Sequence, residues 1–170
     1  YYISEDYKPT FSDHVCKNEH GGSFMTGNMA YKRNVIETVG GFDEKYDYNE
    51  DRDLALRILK YGEILFNPFM TAYVQKQTLT PKDFVRNADY TKNRVHLFKR
   101  FRERKLMVWR IVSPFNLAKA LFPPLILVSL FCNTFKTSDD FKLLPFTYVY
   151  AIFERLQLWK TCARERVFLI

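Results

Sequence analysis

The sequence predicts an α/β fold in its first half, followed by an apolar helical tail. A helix that ends at Gly62 is followed by a short strand at residues 63–66, and such helix–strand alternation is typical of mixed α/β layers. Thr80 followed by Pro81 predicts the start of a basic amphipathic helix, and strongly apolar chain follows Arg110. The predicted apolar side of this helix consists of Phe84, Ala88, Thr91, Val95 and Phe98. The predicted domains are residues 1–80, residues 81–110 and residues 111–170.

The composition is that of a folded protein with a substantial core. Hydrophobic residues make up 47% and aromatic residues 17% of the 170 residues, which excludes wholesale disorder. The chain begins at Tyr1 with no basic-then-apolar leader, so no signal peptide is visible. The three cysteines form no C-x-x-C pair, which argues against a disulfide scaffold and a zinc site.

Two helices are predicted in the first domain. The first covers residues 32–39 and is stopped by Gly40 and Gly41, because glycine readily adopts the left-handed conformation that ends helices. The second starts at Asn49, a favourable N-cap residue. Its predicted buried stripe, at helical spacing, consists of Leu54, Ile58 and Tyr61. A further short strand is predicted at residues 72–74.

The first turn of the second helix is unusually acidic, since it contains Glu50, Asp51 and Asp53. Two interpretations stand at this point. Acidic side chains favour the positive end of the helix dipole, so these residues cap the helix. Alternatively, one carboxylate held there accepts a proton from a substrate hydroxyl.

Three ordered sequence blocks surround these acids. They read T-G-N-M-A-Y-K-R at residues 26–33, V-G-G-F-D-E at 39–44, and E-D-R-D-L-A-L-R at 50–57. In this order and spacing, over about residues 23–75, they resemble the acceptor-side half of family-2 glycosyltransferases. The resemblance implies a partial GT-A fold, a Rossmann-like mixed sheet with helices on both sides.

The resemblance also implies a set of roles for the site residues. Asp51 would be the general base of an inverting transfer from a nucleotide-sugar donor to an acceptor hydroxyl, and Arg52 would either orient it, meet a phosphate or form a surface salt bridge. The residues implied to line the substrate site are Thr26, Gly27, Asn28 and Glu50.

The nucleotide chemistry is not accounted for by these blocks. Family members hold a divalent cation, Mg²⁺ or Mn²⁺, on an Asp-x-Asp motif in a nucleotide-binding half, and no such half is visible here. The metal ligands are therefore unknown and expected mostly outside this chain, which we expect to be a fragment. A histidine common in relatives is replaced in the segment around Gln75, where Lys76 is predicted to meet the diphosphate directly.

The positive charge of the chain is concentrated between Lys82 and Arg110. That segment holds ten Lys or Arg against three acids, an excess equal to the net charge of +7 of the whole chain. Followed by apolar chain at residues 115–130, it favours attachment to anionic lipid. A basic helix on an ordinary hydrophobic core remains open.

The predicted partners are a nucleotide-sugar donor, a sugar or lipid-linked acceptor and the cytoplasmic face of a membrane, with no nucleic acid. Two alternatives remain: a membrane-associated non-catalytic scaffold, and a nucleic-acid-binding module that uses the basic segment.

Overall fold

The computed structural model describes residues 13–14, 22, 24–70, 77–102, 107–108, 110–128 and 137–170. Its strands are β1 (Asp13–His14), β2 (Gln77–Thr78), β3 (Met107–Val108) and β4 (Ile111–Val112). Its α-helices are α1 (Arg33–Thr38), α2 (Glu50–Ile58), α3 (Pro81–Asp89), α4 (Thr91–Phe101), α5 (Pro114–Leu121) and α6 (Ser138–Glu165). Two 3₁₀ turns cover Thr26–Asn28 and Pro123–Leu127.

The chain divides into two compact units. The first contains residues 1–2 and 16–75, and the second contains residues 3–15 and 76–170. The first unit contains α1, α2 and the Thr26–Asn28 turn, and the second contains the other helices.

The predicted Rossmann-like mixed sheet, and with it the GT-A fold, is wrong for the described residues, which are mostly helical. The strands that do form are two residues long and make two separate antiparallel pairs. In one pair Asp13 lies opposite Thr78, and in the other Met107 lies opposite Val112. Two-stranded pairs of this length cannot bury helices on two faces, as an α/β sheet does.

The strand predicted at residues 63–66 is irregular chain in the structure. A strand requires a neighbour to pair its backbone N–H and C=O groups, and no described strand pairs with this segment. Ile64 is half-buried, but Leu65 is 83% exposed and Phe69, just beyond the segment, is 92% exposed. The strand predicted at residues 72–74 lies outside the described residues.

The two helices of the first unit form where the sequence predicts them. Gly40 and Gly41 follow α1 with φ angles of +79° and +70°, the left-handed region that glycine adopts without strain. Leu54 and Ile58 of α2 are buried as predicted. Tyr61 is not, since α2 ends three residues earlier and the tyrosine is 63% exposed.

The basic segment of the second unit forms two helices that break at Tyr90. The N–H of Thr80 donates to Asp83 Oδ2 at 2.7 Å and fixes the start of α3, as the Thr-Pro signal predicts. The predicted inner side is confirmed, because these residues are all less than a tenth exposed: Phe84, Ala88, Thr91, Val95 and Phe98.

The apolar tail folds into α5, a 3₁₀ turn and the 28-residue helix α6, against which α3, α4 and α5 pack. Val95, Phe98 and Leu158 form the centre of its core. The C-terminal residue is hydrogen-bonded to β4, because the Val112 N–H donates to the Ile170 carbonyl at 2.7 Å. None of the helices in the described part of the chain is both long and apolar enough to cross a membrane.

A buried carboxylate joins three helices of the second unit. Glu154 of α6 is fully buried, and its two oxygens accept hydrogen bonds from Arg94 Nη1 at 2.9 Å and from Asn116 Nδ2 at 2.8 Å. Ser113 Oγ and Arg155 Nη2 lie 2.9 Å and 3.1 Å from the same carboxylate. These bonds compensate for the cost of burying the charge.

Candidate active site

The acidic turn lies at the N-terminus of α2, where Asn49 turns the chain into the helix with a left-handed φ of +66°. Asn49 occupies the predicted N-cap position, but its side chain makes no capping hydrogen bond. Glu50, Asp51 and Asp53 follow in the first turn. The helix dipole favours negative charge at this end for all three acids. Only the surroundings of each carboxylate therefore distinguish a helix-capping acid from a candidate base.

Asp53 has a structural role. Its side chain is fully buried, and Arg57 Nε donates to its Oδ2 at 2.7 Å. Arg57 also donates through Nη1 to the backbone carbonyl of Val39 at 2.6 Å, which ties α2 to the end of α1. A buried, hydrogen-bonded ion pair of this kind fixes the position of α2.

Asp51 lies in a different environment two residues earlier. It is partly buried, and its Oδ1 accepts a hydrogen bond from the Arg52 N–H at 2.6 Å. Burial raises the pKa of Asp51 above its usual value, the Arg52 N–H opposes this shift, and the charge of Glu50 adds to it. A carboxylate with a raised pKa is a stronger base than an exposed aspartate.

Tyr31 is the site residue that the sequence did not single out. Its hydroxyl is buried and has no hydrogen-bond partner among the described residues. Burial raises the pKa of Tyr31, and the negative charge of Asp51 raises it further, so the two groups are close enough to interact. The tyrosine stands inside the T-G-N block, but only the tertiary structure identifies a hydroxyl that lacks a partner beside an acid.

The T-G-N block forms the 3₁₀ turn Thr26–Asn28. Thr26 and Gly27 are exposed, and the Asn28 side-chain amide donates to the backbone carbonyl of Met70 at 2.8 Å. Asn28 therefore connects the block to the loop that follows α2.

A cavity of about 450 Å³ lies between the segment after the T-G-N block and the chain that follows α2. Tyr31 and Tyr61 contribute aromatic rings to its wall, and Lys32, Glu63 and Asn67 contribute polar groups. A cavity of this size and mixed lining is suitable for a small sugar-sized ligand. Tyr31 lines the cavity, and the charge of Asp51 contributes to the raised pKa of its hydroxyl.

The structure brings together only part of the predicted site. Neither Asp51 nor Thr26, Gly27 or Asn28 is among the described residues that line the cavity. Arg52 is partly buried next to Asp51, and Lys76 lies outside the described residues. Within the described ranges no group of three or more His, Cys, Asp or Glu side chains is placed to hold a metal ion.

Comparison with protein-family models, with curated proteins and with solved structures finds no match for this chain. The resemblance to family-2 glycosyltransferases therefore stays a prediction that depends on the three sequence blocks.

Proposed function

We propose that this chain carries the acceptor-side chemistry of an inverting glycosyltransferase, with Asp51 as the general base. The observation that carries the proposal is the contrast between two neighbouring acids. Asp53 is engaged by Arg57, whereas Asp51 combines partial burial with a raised pKa beside the unpartnered hydroxyl of Tyr31. A base for a sugar hydroxyl needs these properties, since it must be ionised yet avid for a proton.

The proposed reaction is a single displacement. Asp51 takes the proton of an acceptor hydroxyl, and the acceptor oxygen forms a bond to the anomeric carbon of a nucleotide-sugar. The bond from that carbon to the diphosphate breaks, and the nucleoside diphosphate leaves from the opposite face with the electron pair. Tyr31 would donate a hydrogen bond to the acceptor, which gives its buried hydroxyl the partner it lacks.

The proposed roles of the remaining residues are those of binding. The exposed Thr26 and Gly27 and the loop-anchoring Asn28 border the substrate, Glu50 and Arg52 flank the base, and Lys76 meets the diphosphate. A divalent cation, Mg²⁺ or Mn²⁺, would neutralise the leaving diphosphate. The described residues offer no ligand set for that ion, and the steps assigned to this chain involve no metal.

The acceptor is proposed to be a sugar or a lipid-linked sugar presented at the cytoplasmic face of a membrane. The apolar side chains exposed in the tail support membrane association, because α5 and the turn after it expose Phe115, Leu121, Phe122 and Leu127. Exposed apolar patches of this kind mark interaction surfaces.

The test is sugar transfer by Asp51→Asn. The protein is expressed in its natural coding context, and radiolabelled UDP- and GDP-sugars are supplied with a membrane lipid extract. Because asparagine cannot accept the proton, we expect transfer to fall about 10²- to 10⁴-fold, while circular dichroism remains unchanged. The matched control is Glu44→Gln, which neutralises an exposed acid of the same unit and should leave transfer intact. Near-normal transfer by Asp51→Asn, or no transfer by the unmodified protein with any donor, would contradict the proposal.

A further inference from the structure

The two faces of helix α6 have opposite polarity. The face that packs on α3, α4 and α5 contains several polar side chains, each less than 4% exposed: Asp140, Thr147, Glu154, Arg155 and Thr161. Leu143, Ala151 and Leu158 lie among them. The inner face of α6 is therefore a mixture of aliphatic and polar side chains.

The outer face of α6 is apolar and exposed. Phe153, Leu156 and Trp159 are 41%, 55% and 48% exposed, and Phe141, near the start of the helix, is 52% exposed. At 100° per residue, Phe141, Leu156 and Trp159 lie about 140–160° from Glu154 around the helix, and Phe153 lies about 100° from it, beside Leu156. From residue 143 to residue 159 the charged residues of α6 are Glu154 and Arg155, both of which are buried.

This distribution is the reverse of that in a helix on the surface of a water-soluble protein. Such a helix directs its apolar stripe at the core and its charged side at solvent. Between residues 143 and 159 of α6 both charged residues are buried, and Glu154 is satisfied by Arg94, Ser113 and Asn116. The bulky apolar side chains face outward, an arrangement suited to an apolar environment outside the protein.

The charges at the ends of the outer face indicate what covers it. Lys142 lies before the apolar stretch, Lys160 and Arg164 lie after it, and all three are exposed. A second copy of α6 would bring these cations against one another in either a parallel or an antiparallel pair, which is unfavourable. An anionic lipid surface pairs with the cations and accepts the aromatic and aliphatic groups between them.

We propose that the outer face of α6 lies flat on an anionic membrane. Phe153, Leu156 and Trp159 enter the boundary between headgroups and acyl chains, while Lys160 and Arg164 meet lipid phosphates. A helix that carries Glu154 and Arg155 near its midpoint lies along the surface and does not cross it. This assignment depends on the membrane association in the proposed function and names the surface responsible.

Trp159 provides a direct probe, because the only other tryptophan in the chain is Trp109. In Trp109→Phe all tryptophan emission comes from residue 159. The protein is mixed with vesicles of phosphatidylcholine alone or of phosphatidylcholine with phosphatidylglycerol. We expect a blue shift of the emission and quenching by brominated lipids with the anionic vesicles. Emission that no vesicle alters would overturn the proposal, and so would an equal response to both lipids.

A charge placed on the outer face tests the orientation. In Leu156→Glu the new carboxylate lies one turn before Lys160, a spacing that supports the helix, and circular dichroism checks that the fold is kept. Vesicle binding, measured by flotation, should fall about tenfold or more because an apolar anchor is replaced by a repelled charge. The matched control is Leu59→Glu, at an exposed leucine of the first unit (41% exposed), which should retain binding. A third variant, Leu127→Glu (54% exposed), tests the other exposed apolar surface of the tail, in the turn after α5.

The alternative outcomes separate the competing explanations. Loss of binding in Leu127→Glu but not in Leu156→Glu would overturn the assignment to α6 and leave the proposed membrane association intact. A dimer that Leu156→Glu converts to a monomer in analytical ultracentrifugation, with no vesicle binding, would identify a second copy as the partner. Sugar transfer is not needed for either measurement, so a failure of the proposed enzymatic activity would be seen separately.

Discussion

The two units of the molecule differ in how far they compensate the charge of a carboxylate on a helix. In the second unit Glu154 is fully buried and is surrounded by Arg94, Ser113 and Asn116 on two other elements. In the first unit Asp51 is partly buried and accepts one hydrogen bond, from the N–H of the next residue. Hydrogen-bond donors compensate for the burial of Glu154, whereas the burial of Asp51 is compensated only in part.

The difference separates an acid that stabilises the fold from the acid to which we assign the proposed reaction. The compensated Glu154 carboxylate connects α4, α5 and α6 through its hydrogen bonds, and its removal leaves cations without a counter-charge. An undercompensated carboxylate lowers stability at neutral pH, and the same property is the one that the proposed role of Asp51 as a base requires. The predictions below test this contrast.

The largest expected effect is in Glu154→Ala. This change leaves Arg94 and the 2%-exposed Arg155 without their carboxylate, so we expect a loss of about 3–5 kcal/mol in the free energy of unfolding. Urea denaturation followed by circular dichroism measures it. Glu154→Gln keeps the shape and one acceptor oxygen and should lose less. Equal and small losses in both variants would show that the buried network is not stabilising.

The next effect is in Asp53→Asn, which breaks the buried pair with Arg57 in the first unit. We expect a loss of about 2–3 kcal/mol, because Arg57 is left with a weaker partner in a buried position. The control has the same i, i+4 spacing in solvent: Glu37→Gln removes the Arg33–Glu37 pair, whose side chains are 91% and 65% exposed. That variant should show no resolvable change in the urea midpoint. Similar losses in the two variants would refute a special role for Asp53.

The smallest effect is a gain in stability in Asp51→Asn. Burial raises the pKa of Asp51 above its usual 3.8, so the ionised form is disfavoured in the folded state. For a group with a raised folded pKa, stability is greatest below the unfolded pKa and is lost as pH rises through the folded pKa. Asp51→Asn should therefore have a higher Tm than the unmodified protein at about pH 7, and the difference should disappear below about pH 3. Calorimetry across this range measures it, and a lower Tm at neutral pH would contradict the environment described for Asp51.

Local signals predict a good part of this fold. Gly40 and Gly41 end α1, the Thr80-Pro81 pair starts α3, and the periodic residues Val95 and Phe98 are buried. Each of these features depends on residues within one or two helical turns, so the sequence contains the required information. The acidic turn at Glu50 and Asp51 is visible for the same reason.

The predicted strand at residues 63–66 failed because a strand is not a local structure. Alternating or continuous apolar residues indicate a strand only if another strand is available to pair with the segment. In the described residues that partner is absent, and Leu65 is left exposed. The same limitation applies to Tyr61, whose burial depended on how far α2 continues.

The sequence by itself determined where helices start and stop, which sides of α3 and α4 are buried, and which acids crowd the start of α2. The tertiary structure alone decided which of those acids is paired with a cation and which faces of α6 are apolar. The physical reason is distance along the chain: Arg94 meets Glu154 across 60 residues, and Arg57 reaches Val39 across 18. Charge compensation therefore depends on contacts that no local pattern contains, and it separates Asp53 and Glu154, which hold the fold, from Asp51, which remains the candidate base.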